Sequence, residues 1–317
     1  MLEKKVLVTG GAGYIGSILA GQLLEKGYEV TCLDNFSISN DAHKSLLHLA
    51  HKPGFKFVFG DVRDKKKLEE LVPKHDVLIP LAAIVGAPQC DLNPIDAVLI
   101  NRDAVINMNN LRSKYQKLIY ATTNSGYGTT SGETYCTEDT PLNPISLYGR
   151  TKSEAEKALL EGGKDAITLR LATVFGISPR MRTGLLVNYF VLKAVTEGCL
   201  VIYQKDFKRN FAPIRDVARC IEHCIENYGS MKGKPYNVGL DNANLSKQEL
   251  AEKIKEQVPD LDLIYREIGS DPDKRNYIVS NERLAKTGFK FQHNLEEGIS
   301  ELIKGYGLMC GGMVFRQ

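Results

Sequence analysis

The sequence predicts an α/β protein with a doubly wound parallel sheet and a smaller α/β lobe. Three observations lead to this fold class. Short apolar segments alternate with amphipathic helical segments, the strand segments are continuously apolar, and a glycine-rich turn joins the first strand to the first helix. Continuously apolar strands separated by helices are typical of a parallel sheet that helices cover on both faces.

The first half of the chain supplies most of the expected sheet. Its first helix carries Ile15, Ile18, Leu19 and Leu23 at helical spacing and ends near Gly27, a residue suited to a C-cap. The strands predicted here are 6–9, 30–33, 55–59, 77–81, 118–122 and 167–171. The later helices predicted here are 64–71, a long helix after 93–94, and about 148–160.

The second half of the chain is less regular. Its predicted helices are 185–197, one that begins at 216, 246–258 and 295–304, and its predicted strands are 200–203, 236–239 and 261–265. Without a linker or a composition break between the halves, we expect a small lobe that is partly interleaved with the sheet domain.

Composition excludes several classes of function. The 41 Lys and Arg against 38 Asp and Glu leave a net charge of +3, too balanced for a protein that binds nucleic acid by neutralising phosphates. No apolar run is long enough for a membrane span. The N-terminus enters a strand without an apolar signal sequence, and the seven cysteines form no C-x-x-C pair, so we expect reduced thiols and a cytoplasmic location. Cys220 and Cys224 flank His223 at a spacing that fits core packing on a helix, and no metal is expected.

The turn after the first strand indicates a dinucleotide site. Its sequence runs Gly10-Gly11-Ala12-Gly13-Tyr14-Ile15-Gly16, between a strand and a helix. Gly10 would allow the tight turn, Gly13 the approach of a pyrophosphate, and Gly16 close packing of the helix on the sheet. The helix N-terminus offers N–H groups and a positive dipole end to that anion. We therefore predict a Rossmann-type dinucleotide-binding domain, mainly residues 1–175, and a substrate-binding lobe, mainly residues 176–317.

Two acidic positions concern the adenosine half of the dinucleotide. Asp34 ends the second strand, where a carboxylate accepts hydrogen bonds from the ribose hydroxyls and repels a 2′-phosphate. No arginine stands beside it in the sequence, so NAD is favoured over NADP. Asp61-Val62, after the third strand, could meet the adenine edge; the same spacing fits equally well a helix N-cap region before Asp64.

A tyrosine and a lysine provide the expected chemistry. Tyr148 and Lys152 are four residues apart on a predicted helix and therefore share one face. An ammonium beside a phenol favours the phenolate and lowers the tyrosine pKa toward the range of a general base. Thr122-Thr123 ends the preceding strand and offers a hydroxyl for a substrate oxygen.

Taken together, the motifs resemble the extended short-chain dehydrogenases/reductases of the nucleotide-sugar epimerase/dehydratase family. The resemblance covers nearly the whole chain. Its marks are Thr9 to Gly16, Asp61-Val62-Arg63-Asp64, Leu81-Ala82-Ala83, Asn101, Tyr148-x-x-x-Lys152, Leu169-Arg170, Arg209-Asn210-Phe211, Val217-Ala218, Asn237-Val238-Gly239 and Leu295–Ile299.

The resemblance implies roles for these residues. Tyr148 would take the sugar hydroxyl proton, Lys152 would lower its pKa and bind the nicotinamide ribose, and Thr123 would take the usual Ser/Thr place. The implied cofactor is NAD, and its expected binding residues are Gly10, Gly13, Tyr14, Ile15, Gly16, Asp34, Asn35, Asp61, Val62, Leu81, Ala82, Ala83, Asn101, Thr122, Tyr148 and Lys152. The implied substrate is a nucleoside-diphosphate sugar, and its expected binding residues are Thr123, Ser125, Thr173, Asn188, Arg209 and Arg275. For Arg275, solvated surface charge is an equally good interpretation.

Two positions subdivide the family. Members that eliminate water or carbon dioxide carry a carboxylate two residues before the tyrosine, where this chain has Ser125 before Tyr127. Neither Asn124 nor Ser125 titrates near neutral pH, which argues against a 4,6-dehydratase or a decarboxylase. The favoured function is a 4-epimerase that works through a 4-keto sugar. A 4-dehydrogenase or 4-keto reductase stays open, as does an NAD-sensing regulatory protein.

The resemblance also implies an assembly and a use. In similar proteins, the helix after Asn93 and the helix from Tyr148 form the four-helix bundle of a homodimer. Synthesis of surface-polysaccharide precursors would be a natural use.

Overall fold

The structure is a computed structural model that describes residues 4–37, 39, 41–130, 134–266 and 276–310. Its strands are β1 Lys5–Thr9, β2 Glu29–Asp34, β3 Phe55–Phe59, β4 Val77–Pro80, β5 Lys117–Thr123, β6 Tyr135–Cys136, β7 Ile167–Leu171, β8 Thr173–Phe175, β9 Cys199–Tyr203, β10 Lys208–Pro213, β11 Lys234–Val238, β12 Asn244–Ser246, β13 Asp262–Arg266 and β14 Ile278–Val279. Its α-helices are α1 Tyr14–Glu25, α2 Lys65–Leu71, α3 Ala87–Leu92, α4 Pro94–Val98, α5 Ala104–Leu111, α6 Leu147–Glu161, α7 Leu186–Glu197, α8 Ile214–Glu226, α9 Tyr228–Met231, α10 Lys247–Gln257, α11 Glu282–Ala285 and α12 Leu295–Met309.

Seven parallel strands form the central sheet in the order β3-β2-β1-β4-β5-β7-β11. The strand order reverses between β1 and β4, and a crevice opens at such a switch point beyond the carboxyl ends of the strands. The predicted fold class is confirmed.

Both faces of the sheet are covered, which explains the continuously apolar strands. On β1, Val6 and Val8 pack in a core with residues of α1 and α8, whereas Leu7 packs on the opposite face with residues of α5 and α6. All three side chains are fully buried. Alternation of polar and apolar residues would place polar groups in one of the two cores.

The second half of the chain contributes smaller sheets and a second core. The order in the largest of these sheets is β12-β10-β8, and β13 pairs with β9. Phe175, Phe211, Leu250 and Ile299 are buried in the core beside them. β11 nevertheless belongs to the central sheet, where it pairs with β7. The division into 1–175 and 176–317 stays a prediction.

The long helix predicted after Asn93-Pro94 is interrupted. It consists of α4, a π-helical turn at Leu99–Asp103, and α5. Asn101, inside that turn, accepts a hydrogen bond from the Ile84 amide and donates one to the Ile84 carbonyl, both at 2.8 Å. The Tyr120 hydroxyl donates to the Asn101 carbonyl at 3.0 Å. The widened turn accompanies these bonds, which tie the helix to the loop after β4.

The sequence patterns did not predict three short strands, β8, β10 and β12. β8 and β12 have three residues each, too few for a periodicity to be visible, and β10 contains polar residues that are buried by tertiary contacts.

The cysteines are free thiols, and Cys220 and Cys224 are buried in the core. No helix in the described segments is both long and apolar enough to cross a membrane.

Candidate active site

The glycine-rich turn leaves no space for a side chain at Gly10 or Gly16. Gly10 has a φ of +71°, and a Cβ there would lie 2.6 Å from the Ala82 nitrogen. A Cβ on Gly16 would lie 2.3 Å from the Gly10 carbonyl oxygen. The turn and the first turn of α1 are therefore in backbone contact, which only glycine permits.

The N-terminus of α1 faces the crevice as a helix end without a side-chain cap. Gly13 occupies the N-cap position and has no side chain with which to cap the helix. The first-turn amides and the positive end of the helix dipole suit an anion. This backbone, together with the glycines that keep it open, fits the pyrophosphate of a dinucleotide.

Tyr14 connects α1 to the loop between β8 and α7. Its hydroxyl donates to the Gly176 carbonyl at 2.7 Å and accepts from the Asn188 amide at 3.0 Å. Asn188 is fully buried and also bonds the Gly176 amide and the Arg182 carbonyl. The side chains of Tyr14 and Asn188, predicted as cofactor and substrate contacts, thus fix this loop against α1.

Asp34 lies at the end of β2, as the sequence predicts. Its carboxylate accepts from the Ala12 amide at 3.0 Å and the Phe36 amide at 2.8 Å. Burial raises the pKa of Asp34, while these amides and the charge of Arg180 act in the opposite direction. The sequence indicates no arginine beside Asp34, but the folded chain brings Arg180, from the loop after β8, within electrostatic reach of this carboxylate.

The Asp61 carboxylate is hydrogen-bonded to the segment after β2 and to the segment before α2. It accepts hydrogen bonds from Arg63 at 2.7 and 2.9 Å and from Asn35 at 2.8 Å. Arg63 holds the pKa of Asp61 below its usual range. The N-cap of α2 is Asp64, which accepts from the Lys67 amide at 3.2 Å. Asp61 therefore does not serve as the cap, and Val62 beside it is buried.

The loop after β4 lies against the glycine turn. The Leu81 amide donates to the Thr9 carbonyl at 3.0 Å, and the Ala82 amide to the Thr9 hydroxyl at 3.3 Å. Leu81, Ala82 and Ala83 are partly buried. The Asn101 side chain hydrogen-bonds both the amide and the carbonyl of the next residue, Ile84. Asn101 therefore positions the loop after β4, which borders the crevice.

Tyr148 and Lys152 lie in the first two turns of α6. Ser146 caps this helix by accepting from the Gly149 amide at 3.1 Å, so the helix begins immediately before Tyr148. The Lys152 side chain is buried, with its Nζ 4.1 Å from the ring centre of Tyr120. Burial lowers the pKa of Lys152 to about 7, because its environment disfavours the ammonium.

Thr123 ends β5 at the carboxyl edge of the sheet. Its hydroxyl donates to the Ser125 hydroxyl at 2.9 Å and accepts from the Ser125 amide at 3.1 Å. Asn124, between them, is fully buried, and its amide nitrogen and oxygen have no hydrogen-bond partner among the residues that the structure describes. Thr122, on the same strand end, is also buried.

Sequence reasoning missed a buried ion pair beneath α6. Glu156, one turn after Lys152, accepts from Arg170 at 2.6 and 2.9 Å. Arg170 also donates to the Tyr127 hydroxyl at 3.0 Å. The negative charge of Glu156 acts to raise the pKa of Lys152 against the larger effect of burial. The i, i+4 spacing of Lys152 and Glu156 is the signal that could have indicated this carboxylate.

Two of the remaining residues predicted to bind substrate, Thr173 and Arg209, lie on the paired strands β8 and β10. Thr173 begins β8 and is partly buried. Arg209 is buried, its guanidinium 5.6 Å from the ring centre of Tyr277, and it donates to the Lys208 carbonyl at 2.9 Å. Arg275 lies outside the described residues. The binding roles of all these residues stay predictions.

A family model decides the classification of the chain. The model described as the NAD dependent epimerase/dehydratase family matches residues 6–239. The chain belongs to this family. The predicted resemblance is thereby confirmed, and the protein is an NAD-dependent nucleotide-sugar enzyme.

Known proteins agree with this classification. The chain is 30% identical over 312 residues to a probable UDP-arabinose 4-epimerase 3 of Arabidopsis thaliana, covering 85% of this chain and 74% of that protein. It is 27% identical over 314 residues to UDP-glucuronic acid decarboxylase 1 of Danio rerio, covering 95% and 72%. The solved UDP-glucose 4-epimerase of Thermotoga maritima, 23% identical, has the same fold, with a TM-score of 0.84 over 96% of this chain and 99% of that one.

Proposed function

We propose that this protein is an NAD-dependent 4-epimerase of a nucleoside-diphosphate sugar. The proposal depends on which side chains lie at the end of the crevice where the sugar would react, called here the reacting end. Thr123, Tyr148 and Lys152 come from β5 and α6, whereas Asn124 and Ser125, buried beside Thr123, supply no group that titrates near neutral pH. This set of side chains suits the removal and return of one proton on a hydroxyl.

Each residue has a separate task in the proposed reaction. Tyr148 accepts the proton of the C4 hydroxyl, and Thr123 holds the same oxygen through its own hydroxyl. Lys152, one turn behind Tyr148, stabilises the phenolate when it carries its proton. When bound, NAD would accept the hydride from C4 of the sugar, and the reduced cofactor would return it to the same carbon. When the keto sugar presents its opposite face, Tyr148 returns the proton and the product is the C4 epimer.

Two alternatives have weaker support. Elimination of water or carbon dioxide requires a proton donor or acceptor at C5, and neither Asn124 nor Ser125 can act as one. A dehydrogenase without epimerisation would use the same three residues, but the relatives that match include named 4-epimerases.

The test is product analysis with a panel of UDP- and GDP-sugars. The protein is incubated with each sugar and NAD, and the product is followed by NMR and the cofactor by NADH absorbance. We expect the C4 epimer without net NADH. The Tyr148→Phe variant should lose activity by about 100- to 10,000-fold, the usual size of a general acid–base effect. A stable keto product with stoichiometric NADH would identify a dehydrogenase instead.

We further propose a cytoplasmic homodimer that serves the synthesis of polysaccharide precursors. An exposed apolar row supports the dimer: Leu92 is 73% exposed, Ile95 75% and Leu99 38%, on or beside α4. A second copy could cover this row next to α6. Sedimentation at the mass of one chain would contradict the dimer.

A further inference from the structure

The buried lysine of the reacting end lies over an aromatic ring. Tyr120, in the middle of β5, and Lys152, on α6, are both buried, and the Lys152 Nζ lies 4.1 Å from the centre of the Tyr120 ring. In the described segments, no other lysine or arginine comes as close to the centre of an aromatic ring. The negative face of a ring attracts a cation within about 6 Å, most strongly where water is excluded.

Lys152 has few ways to stabilise its charge in the free protein. Its Nζ makes no hydrogen bond or ion pair with any residue that the structure describes. Burial lowers the pKa of Lys152 to about 7, because an ammonium loses its hydration when it is moved away from water. The face of the Tyr120 ring offsets part of this cost, because it attracts the ammonium and not the neutral amine.

The Tyr120 ring is held in place through its hydroxyl. This hydroxyl donates to the Asn101 carbonyl at 3.0 Å, inside the π-helical turn. The Asn101 side chain bonds the loop after β4, and its amide nitrogen reaches the Thr151 hydroxyl at 3.5 Å, one residue before Lys152. The fold therefore sets the position of the ring relative to α6 before any ligand binds.

The other titratable groups around Lys152 do not replace the ring. Glu156 acts to raise the pKa of Lys152, but its carboxylate is already paired with Arg170. Cys90, on α3, would contribute only as a thiolate, and burial raises the pKa of its thiol to about 11. The remaining groups on the neighbouring elements are paired or exposed: Arg102 with Asp103 and Glu154, Asp96 with Arg63, Tyr127 with Arg170, and the exposed Arg150 and Lys157.

We propose that Tyr120 is a positioning residue of the reaction, whose ring face holds the Lys152 side chain in its ammonium form, one turn after Tyr148 on α6. The inference rests on the proposed 4-epimerase function. When the two side chains share one proton, it lies either on the phenol, with a neutral amine, or on the amine, with a phenolate. Only the phenolate can accept the proton of the C4 hydroxyl. By attracting the ammonium, the ring favours this reactive arrangement.

The first experiment follows the titration of Lys152 directly in the protein without substrate. The lysine Cε atoms are isotope-labelled, and the NMR signal of Lys152 is identified by its absence from Lys152→Met. The midpoint should lie near pH 7 in the wild type. Tyr120→Phe keeps the ring and should stay within about half a pH unit of that value, whereas Tyr120→Leu should titrate about one pH unit lower.

Two further variants separate the ring charge from packing. Trifluorophenylalanine at position 120 keeps the shape of phenylalanine, but its fluorines withdraw electron density from the ring face, so the midpoint should fall below that of Tyr120→Phe. Tyr236→Leu removes another buried tyrosine of the central sheet, whose hydroxyl donates to the Met231 carbonyl at 3.1 Å. As the matched control, it should leave the Lys152 midpoint at its wild-type value. Thermal unfolding checks that each variant is folded.

The second experiment measures kcat/KM for epimerisation against pH. Tyr120→Leu should lower the highest kcat/KM about 10-fold and move its alkaline decline to lower pH, because Lys152 loses its proton earlier. Tyr120→Phe should restore most of the activity and the position of the decline. A loss of activity in Tyr120→Leu without a displaced decline would indicate a structural role only and would overturn the inference.

The NMR titration distinguishes the inference from the proposed function. Equal Lys152 midpoints in wild type and Tyr120→Leu would overturn the inference and leave the 4-epimerase function intact. If Tyr120→Leu does not fold, equal midpoints for phenylalanine and trifluorophenylalanine at position 120 would overturn it in the same way. If the wild-type protein epimerises no sugar of the panel, the proposed function fails and the role of Tyr120 in the reaction fails with it, whatever the midpoints are.

Discussion

At the scale of single residues, two basic side chains of the crevice, Lys152 and Arg182, stand in unfavourable surroundings. Lys152 is buried against the Tyr120 ring, and its pKa falls to about 7. Arg182 is partly buried without a carboxylate beside it in the described segments. Such charges cost stability in the free protein and strengthen contacts with a bound anion or hydroxyl.

Lys152 should therefore reduce stability in a pH-dependent way. Between about pH 7 and its ordinary pKa of 10.5, the unfolded chain holds the lysine proton and the folded chain does not, so the lysine penalty shrinks as pH rises. We expect Lys152→Met to raise the free energy of unfolding by about 1–4 kcal/mol at pH 6. This gain should shrink toward pH 10 in urea titrations without cofactor, while activity is lost. A gain that does not change with pH would show that the lysine is protonated alike in both states.

Asp34 should determine the choice between NAD and NADP. Its carboxylate repels a 2′-phosphate, but Arg180 lies close enough to attract one once the carboxylate is removed. We expect Asp34→Ala to raise the affinity for NADP relative to NAD by about 10- to 100-fold, measured by calorimetry. The double variant Asp34→Ala/Arg180→Gln should lose most of that gain. An equal gain in the double variant would exclude a role of Arg180.

At the scale of elements, the site is made where strand ends meet helix starts. The glycine turn, the loop after β4 and the turn after β5 all lie at the carboxyl edge of the sheet, and the N-termini of α1 and α6 face the same edge. The sequence predicted these strands and helices because their periodicity is strong. It could not predict the π-helical turn, because that turn accompanies contacts of Asn101 with a distant loop.

The contact between α1 and the glycine turn can be tested separately. Gly16→Val would place side-chain atoms against the Gly10 carbonyl, which lies 2.3 Å from the Cβ position, and would push α1 away from the turn. We expect the Kd for NAD to rise at least about 100-fold, since the pyrophosphate depends on that helix end. Gly229→Ala, on α9 with no atom within 4 Å of its Cβ position, is the matched control and should bind NAD as the wild type does. Normal NAD binding by Gly16→Val would contradict the assigned anion site.

At the scale of the whole molecule, the site joins segments that are far apart in the sequence. The loop after β8 brings Arg182 to the Val85 carbonyl and places the charge of Arg180 within electrostatic reach of Asp34. Local patterns predicted Gly10 to Gly16, Asp34, Tyr148 and Lys152, because a turn, a strand end or a helix turn places each of them. They could not predict the partners of Asp34 and Lys152, because tertiary packing alone brings those charges together.

The central claim is that a hydride leaves carbon 4 and returns to it while Tyr148 moves the hydroxyl proton. The most direct measurement follows a nucleotide sugar carrying deuterium at C4, in ordinary water, with wild type and Tyr148→Phe. We predict that the wild-type product is the C4 epimer and keeps its deuterium, and that Tyr148→Phe forms almost none. Loss of the deuterium to solvent, or undiminished turnover by Tyr148→Phe, would contradict the account.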